Sequence, residues 1–110
     1  MKTLLAALLT FGALNASASD YSCKATLMQD SQQQEATVEM VSATIGTAKI
    51  TSFQFDVVQT NNETLVISIF NRAKREQAAH ATTFVPKKNQ PSNLILRLAD
   101  GNAILECSVE

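Results

Sequence analysis

From Tyr21 onward, apolar and polar residues alternate with a period of two along most of the chain. Tyr21, Cys23, Ala25 and Leu27 alternate with Ser22, Lys24 and Thr26, the pattern of a strand with one buried and one wet face. Ala36, Val38 and Met40 alternate in the same way with Thr37 and Glu39, and the polar run Gln29-Asp30-Ser31-Gln32-Gln33 between the two segments predicts a hairpin turn. Phe53, Phe55 and Val57 form a third segment. Ile50 lies on the opposite parity, so a bulge or break is expected near Thr51 and Ser52 if one strand spans both, and Gly46 marks the connection that precedes it.

The segment from Leu65 to Phe70 carries Leu65, Ile67 and Ile69 on one face and Val66 and Phe70 on the other. Apolar residues on both faces predict either a central strand or an interface, and any weak self-association of an otherwise monomeric protein is expected here. Asn61-Asn62-Glu63 reads as the turn before it. Asn62-Glu63-Thr64 is formally an N-glycosylation acceptor, relevant only in a eukaryotic secretory pathway.

Near the C-terminus, Asp100-Gly101 separates two β-prone runs and predicts a two-residue hairpin turn. Counting outward from it pairs Leu98 with Ala103, Leu96 with Leu105 and Leu94 with Cys107 on one face; Arg97 with Ile104 and Ile95 with Glu106 fall on the other. Cys107 is then inward, as Cys23 is by its own alternation. The first and last strands are expected either to be neighbours, which closes a barrel, or to face each other across the core, which makes a sandwich. Asn71 to Ala81 is rich in helix formers, with Asn71 placed to cap a short helix, but it lacks an apolar stripe, so residues 72–77 are expected to be an exposed connection, with one helical turn as the alternative form. Ala78, His80, Thr82 and Phe84 fit a strand, and the stretch between Pro86 and Pro91 reads as a basic, polar loop. The expected architecture is all-β, a small antiparallel barrel of six to eight strands, with a β-sandwich as the alternative.

The N-terminus departs from this pattern. Lys2, the apolar run from Leu4 to Leu14, and Ala16-Ser17-Ala18 present a charged start, a hydrophobic stretch and small residues at a cleavage site, in the order of a secretory signal peptide. The run is shorter than the roughly 20 apolar residues that cross a bilayer. Residues 1–18 are therefore expected to be removed, leaving one β-domain over residues 19–110, exported to a periplasm or to the medium. A lipid anchor at Cys23 is not expected, because Asp20-Tyr21-Ser22 precedes it in place of small apolar residues.

Export changes how the two cysteines are read. Cys23 and Cys107 lie near the two ends of the mature chain, and an oxidising compartment would form and keep a bond between them. Closing a loop of about 85 residues stabilises the fold by roughly 4 kcal/mol in the chain-entropy model. A zinc site is not expected, since two cysteines and the distant His80 do not make a tetrahedral ligand set. Loss of Lys2 leaves eight basic residues against ten acidic ones, a net charge of −2. That balance argues against nucleic acid or an anionic membrane as the main partner.

Candidate chemistry is sparse. His80 is the single histidine, no serine sits in a nucleophile-elbow motif, and the mature chain has only Gly46 and Gly101, too few for a phosphate-cradling loop. No catalytic residue, metal or cofactor is expected. Arg72, Lys74 and Arg75, with Lys87 and Lys88 nearby in sequence, are the one concentrated polar feature. A solvated loop is the plain reading of that run; the functional one is a recognition surface for an acidic protein or glycan, on a loop presented by a rigid β scaffold. Tyr21-x-Cys23 at the start and a cysteine near the end of a small exported β-domain resemble the small-barrel lysozyme inhibitors of the periplasm. The resemblance covers the termini only, and the Ser-Gly-rich loop of those inhibitors is missing, so it transfers no functional residue. The expected function is that of a non-catalytic exported binding or accessory protein, with inhibition of a periplasmic or extracellular hydrolase, lysozyme or protease, through an exposed loop as the alternative.

Overall fold

The computed structural model describes residues 21–109; the expected signal peptide, residues 1–18, lies outside them. The described chain forms nine strands: β1 Ser22–Gln29, β2 Gln32–Thr37, β3 Glu39–Met40, β4 Ile45–Ile50, β5 Phe53–Gln59, β6 Thr64–Asn71, β7 Glu76–Phe84, β8 Ser92–Leu98 and β9 Gly101–Ser108. They make two antiparallel sheets, one in the order β2-β1-β9-β8 and the other in the order β3-β4-β5-β6-β7. The count exceeds the expected six to eight, partly because one polar strand divides at Val38 into β2 and β3. Val38 is buried and donates its N–H to the Cys23 carbonyl at 3.0 Å, and there the chain passes from one sheet to the other.

The terminal strands are neighbours, as one of the two expected arrangements required, with Cys23 directly opposite Cys107 and the two bonded as a disulfide. The sheet nevertheless does not close, and the sandwich alternative is the one adopted. Closure would need a ladder between β7 and β8. Their connection carries Pro86 and Pro91, which offer no N–H, and the hydroxyl of buried Ser92 donates to the Phe84 carbonyl at 2.9 Å. A side chain therefore takes an acceptor that a strand amide would have used.

Turn chemistry explains the hairpins. Asp30 and Ser31 both have positive φ, 50° and 64°, the mirror-image two-residue turn whose twist matches its strands. The expected break at Thr51 and Ser52 is another two-residue turn, between paired Ile50 and Phe53, so β4 and β5 are separate strands and their parities need not agree. Gly46, expected in a connection, lies inside β4, where a side chain would run into Val38 and Met40 at the β2–β3 corner.

The β8–β9 register differs from the expectation by two residues. Leu98 pairs with Gly101, Leu96 with Ala103 and Leu94 with Leu105, so the turn is Ala99-Asp100. Gly101 is already in the strand, and φ there is not positive. Its lack of a side chain serves contact with β1, because a Cβ would collide with the Met28 carbonyl oxygen. A shift of two preserves facing, so Cys107 and Leu105 remain inward.

The core lies between the sheets. Cys23, Ala25 and Leu27 of β1, Leu96 and Leu98 of β8, and Ala103, Leu105 and Cys107 of β9 meet Ala48 and Ile50 of β4, Phe53, Phe55 and Val57 of β5, and Leu65, Ile67 and Ile69 of β6, all buried. β6 is an inner strand paired on both sides, although Val66 and Phe70 on its outer face are not buried.

Candidate functional site

All four hairpin tips at one end of the sandwich are short, and the one joining β6 to β7 carries the basic residues. The alternative form over residues 72–77, a helical turn, is absent. Asn71 pairs with Glu76, leaving a four-residue tip of Arg72, Ala73, Lys74 and Arg75, while Glu76 and Gln77 already belong to β7. The Asn71 side-chain oxygen accepts from the N–H groups of Ala73 and Lys74 at 3.0 and 3.2 Å, so its capping role holds for a tight turn in place of a helix. Arg75 closes the turn with φ 55°. In helix-forming composition, tertiary pairing with β6 outweighs propensity.

Arg72 differs from its neighbours. Its guanidinium donates to the Thr51 carbonyl at 2.7 Å and its backbone N–H to the Ser52 carbonyl at 2.8 Å. The β6–β7 tip is thereby tied to the β4–β5 tip, where Thr51 holds φ 53°, an unusual conformation for a β-branched residue. Arg72, Lys74 and Arg75 are all exposed. Lys74 and Arg75 form no ion pair among the described residues, whereas Lys24 in the other sheet reaches Glu35 and Glu106 at 3.8 and 3.7 Å. Lys87 and Lys88 sit in the β7–β8 connection at the opposite end, where Lys87 and Gln90 exchange backbone hydrogen bonds; they do not join the cluster.

Strand register adds residues that linear reading did not group. Lys49 pairs with Gln54, Gln54 with Phe70 and Phe70 with Gln77, and this row faces outward directly below the basic tip. Phe70 is 38 % exposed. A bulge between Ile69 and Phe70 in the β6–β7 ladder leaves Ala78 as the extra residue, so Ala79 points inward beside Ile69 while Gln77 points outward beside Phe70.

His80 lies in a row with Ser68 and Asp56, opposite one another on β7, β6 and β5. Serine stands between the other two, so the histidine cannot be oriented by the carboxylate as a hydrolytic triad requires. Asp56 is instead engaged by Thr47 and Gln54, both at 3.0 Å, and no hydrogen bond links His80 to Ser68. Among the described residues no three His, Cys, Asp or Glu side chains gather as a metal site would need. A depression of about 590 Å³ overlies the disulfide end of the four-stranded sheet, lined in part by Lys24 and Glu106, which neutralise each other. Asn62 is exposed in the β5–β6 connection. For the segment from Leu65 to Phe70, backbone pairing is complete on both sides, and only Val66, Ser68 and Phe70 present side chains outward.

Comparison with protein-family models, with curated proteins and with solved structures returned no match. The fold defines the chain as a small antiparallel β-sandwich with a buried disulfide between its terminal strands. Such a bond in so small a domain is consistent with an oxidising, exported location.

Proposed function

We propose that the chain is an exported, non-catalytic binding or accessory protein that engages an acidic protein or glycan through the basic tip of Arg72, Lys74 and Arg75. The observation that carries this reading is the fixed, uncompensated charge of the tip. Asn71 caps the turn from within and Arg72 ties it to Thr51 and Ser52, so little backbone ordering entropy opposes binding, while the Lys74 and Arg75 side chains are exposed and unpaired. Delivery to a periplasm or the medium by the signal peptide over residues 1–18 belongs to the same reading, which the disulfide supports. Inhibition of a lysozyme or protease is the second reading. A narrow, braced hairpin tip is a shape that can enter an enzyme cleft, and the purified protein assayed against both enzyme classes distinguishes it.

The test of the first reading is binding of the mature protein to two acidic polymers, poly-glutamate and polygalacturonate, at low and high salt. Replacing Lys74 and Arg75 together by Ser is expected to weaken binding by about tenfold or more and to flatten its salt dependence. Absence of binding to either polymer, or affinity unchanged in the double variant, removes the reading. Arg72 is left in place because its substitution would loosen the turn.

A further inference from the structure

Resting on the reading of the tip as a binding surface, we propose that its ligand is an acidic polysaccharide, bound along the row Lys49, Gln54, Phe70 and Gln77 with its acid groups on Lys74 and Arg75. The row crosses four adjacent strands, β4, β5, β6 and β7, a ribbon about 14 Å long at the usual strand spacing. Each member supplies a contact that a sugar acid needs. Phe70, 38 % exposed on the outer face, offers an apolar ring for the C–H face of a pyranose. Gln54 has its amide nitrogen fixed on Asp56 at 3.0 Å, so its carbonyl oxygen remains to accept from a hydroxyl. Gln77, whose amide makes only a long 3.5 Å contact to the Ala79 carbonyl, brings both a donor and an acceptor.

The bulge is the second, independent observation. In an unbulged ladder Ala78 would pair with Phe70, and the alternation that places Ala79 inward would place Gln77 inward too, so Phe70 would have no polar neighbour on β7. Bulges re-aim side chains in this way at the margins of functional surfaces. Around the ring, Lys49, Lys74 and Arg75 have no ion-pair partner among the described residues; Glu76 is the one acid of the tip's flanks, and Asp56, the carboxylate beside the row, is engaged by Thr47 and Gln54. Positive charge beside an aromatic ring and amides complements a carboxylate attached to a sugar ring. A poly-glutamate chain would satisfy the cations but presents no rigid C–H face to Phe70.

The deciding experiment compares polygalacturonate with poly-glutamate of matched charge and with neutral dextran, for the mature protein and for Phe70→Ala, Phe70→Tyr and Gln77→Ala. The expected result is preference for polygalacturonate over both other polymers, a loss of about tenfold in Phe70→Ala, a smaller loss in Gln77→Ala, and retention in Phe70→Tyr. Circular dichroism of each variant checks the fold, and Gln77→Ala, on an exposed edge strand, carries the test if Phe70→Ala unfolds. Equal binding of poly-glutamate, with Phe70 and Gln77 variants unaffected, overturns the polysaccharide and leaves the acid-binding tip standing. Binding of no polyanion overturns both. Preference for dextran overturns the acidic component.

Discussion

Gly101 is a residue whose size is set from outside its own hairpin. A methyl group there would meet the Met28 carbonyl, a backbone atom that cannot swing aside, whereas one at Gly46 would meet Met40 Sδ at 2.8 Å, on a flexible side chain, and Val38 Cγ1 at 2.6 Å, on a stiffer β-branched one. Gly101→Ala should therefore cost about 2–3 kcal/mol and Gly46→Ala about 1 kcal/mol, measured as urea midpoints; equal losses would contradict the distinction. Tyr21 makes a different kind of residue-scale statement. Its hydroxyl donates to Gln59 Oε1 at 2.8 Å, joining the start of one sheet to the other, and burial raises its pKa above the ordinary value. A pKa raised in the folded state means stability that is complete below the unfolded value and lost as pH rises through the folded one, here above about pH 10. Wild type should exceed Tyr21→Phe in melting temperature at pH 7, by the worth of one hydrogen bond, about 1 kcal/mol, and the gap should close in alkali. A constant gap would show that Tyr21 ionisation is not linked to folding.

At the scale of elements, the β6–β7 tip separates stability from binding. Arg75 holds φ 55°, where glycine is at ease and other residues pay roughly 1 kcal/mol. Arg75→Gly should raise the melting temperature by about 4–8 °C while weakening the proposed acid binding. Arg72→Ser should do the reverse to stability, costing about 1 kcal/mol through the lost bond to Thr51. Destabilisation by Arg75→Gly would show that the left-handed conformation is not costly there. Facing was legible on β6, because a period of two assigns Leu65, Ile67 and Ile69 to one side whatever their partners, but not on β7, where the bulge at Ala78 turns Gln77 outward. Register was less so. Asp100-Gly101 has the composition of a mirror-image turn, and only the approach of β1, remote in sequence, shows why the glycine is needed one position later. The basic run was visible as Arg72, Lys74 and Arg75, but Lys49, Gln54, Phe70 and Gln77 lie on four strands and share a row only through register and a bulge that composition does not mark.

For the whole molecule, the inward parity of Cys23 and Cys107 anticipated their pairing, yet barrel and sandwich remained equally compatible with it, since the outcome turns on whether β7 and β8 exchange backbone hydrogen bonds. The disulfide links β1 and β9, which are already directly paired in one sheet, so it adds little to the geometry of the folded state and nothing across the core. Its effect belongs to the unfolded chain, where it holds together residues 84 apart in sequence. Double replacement of Cys23 and Cys107 by Ala should accordingly preserve the native circular dichroism while lowering the unfolding free energy by about 4 kcal/mol, against a total of about 5–15 kcal/mol for domains in general. The urea m-value should rise, because an uncrosslinked chain exposes more surface on unfolding. Both cysteines are buried, with Cys23 5 % and Cys107 1 % exposed, so a reductant is expected to reach the bond only when the strands open. Reduction of the wild type should then be slow in buffer and accelerate with urea in step with unfolding. Fast reduction without denaturant, or a double variant as stable as wild type, would mean that the terminal strands separate locally and that the bond does not govern the stability of the sandwich.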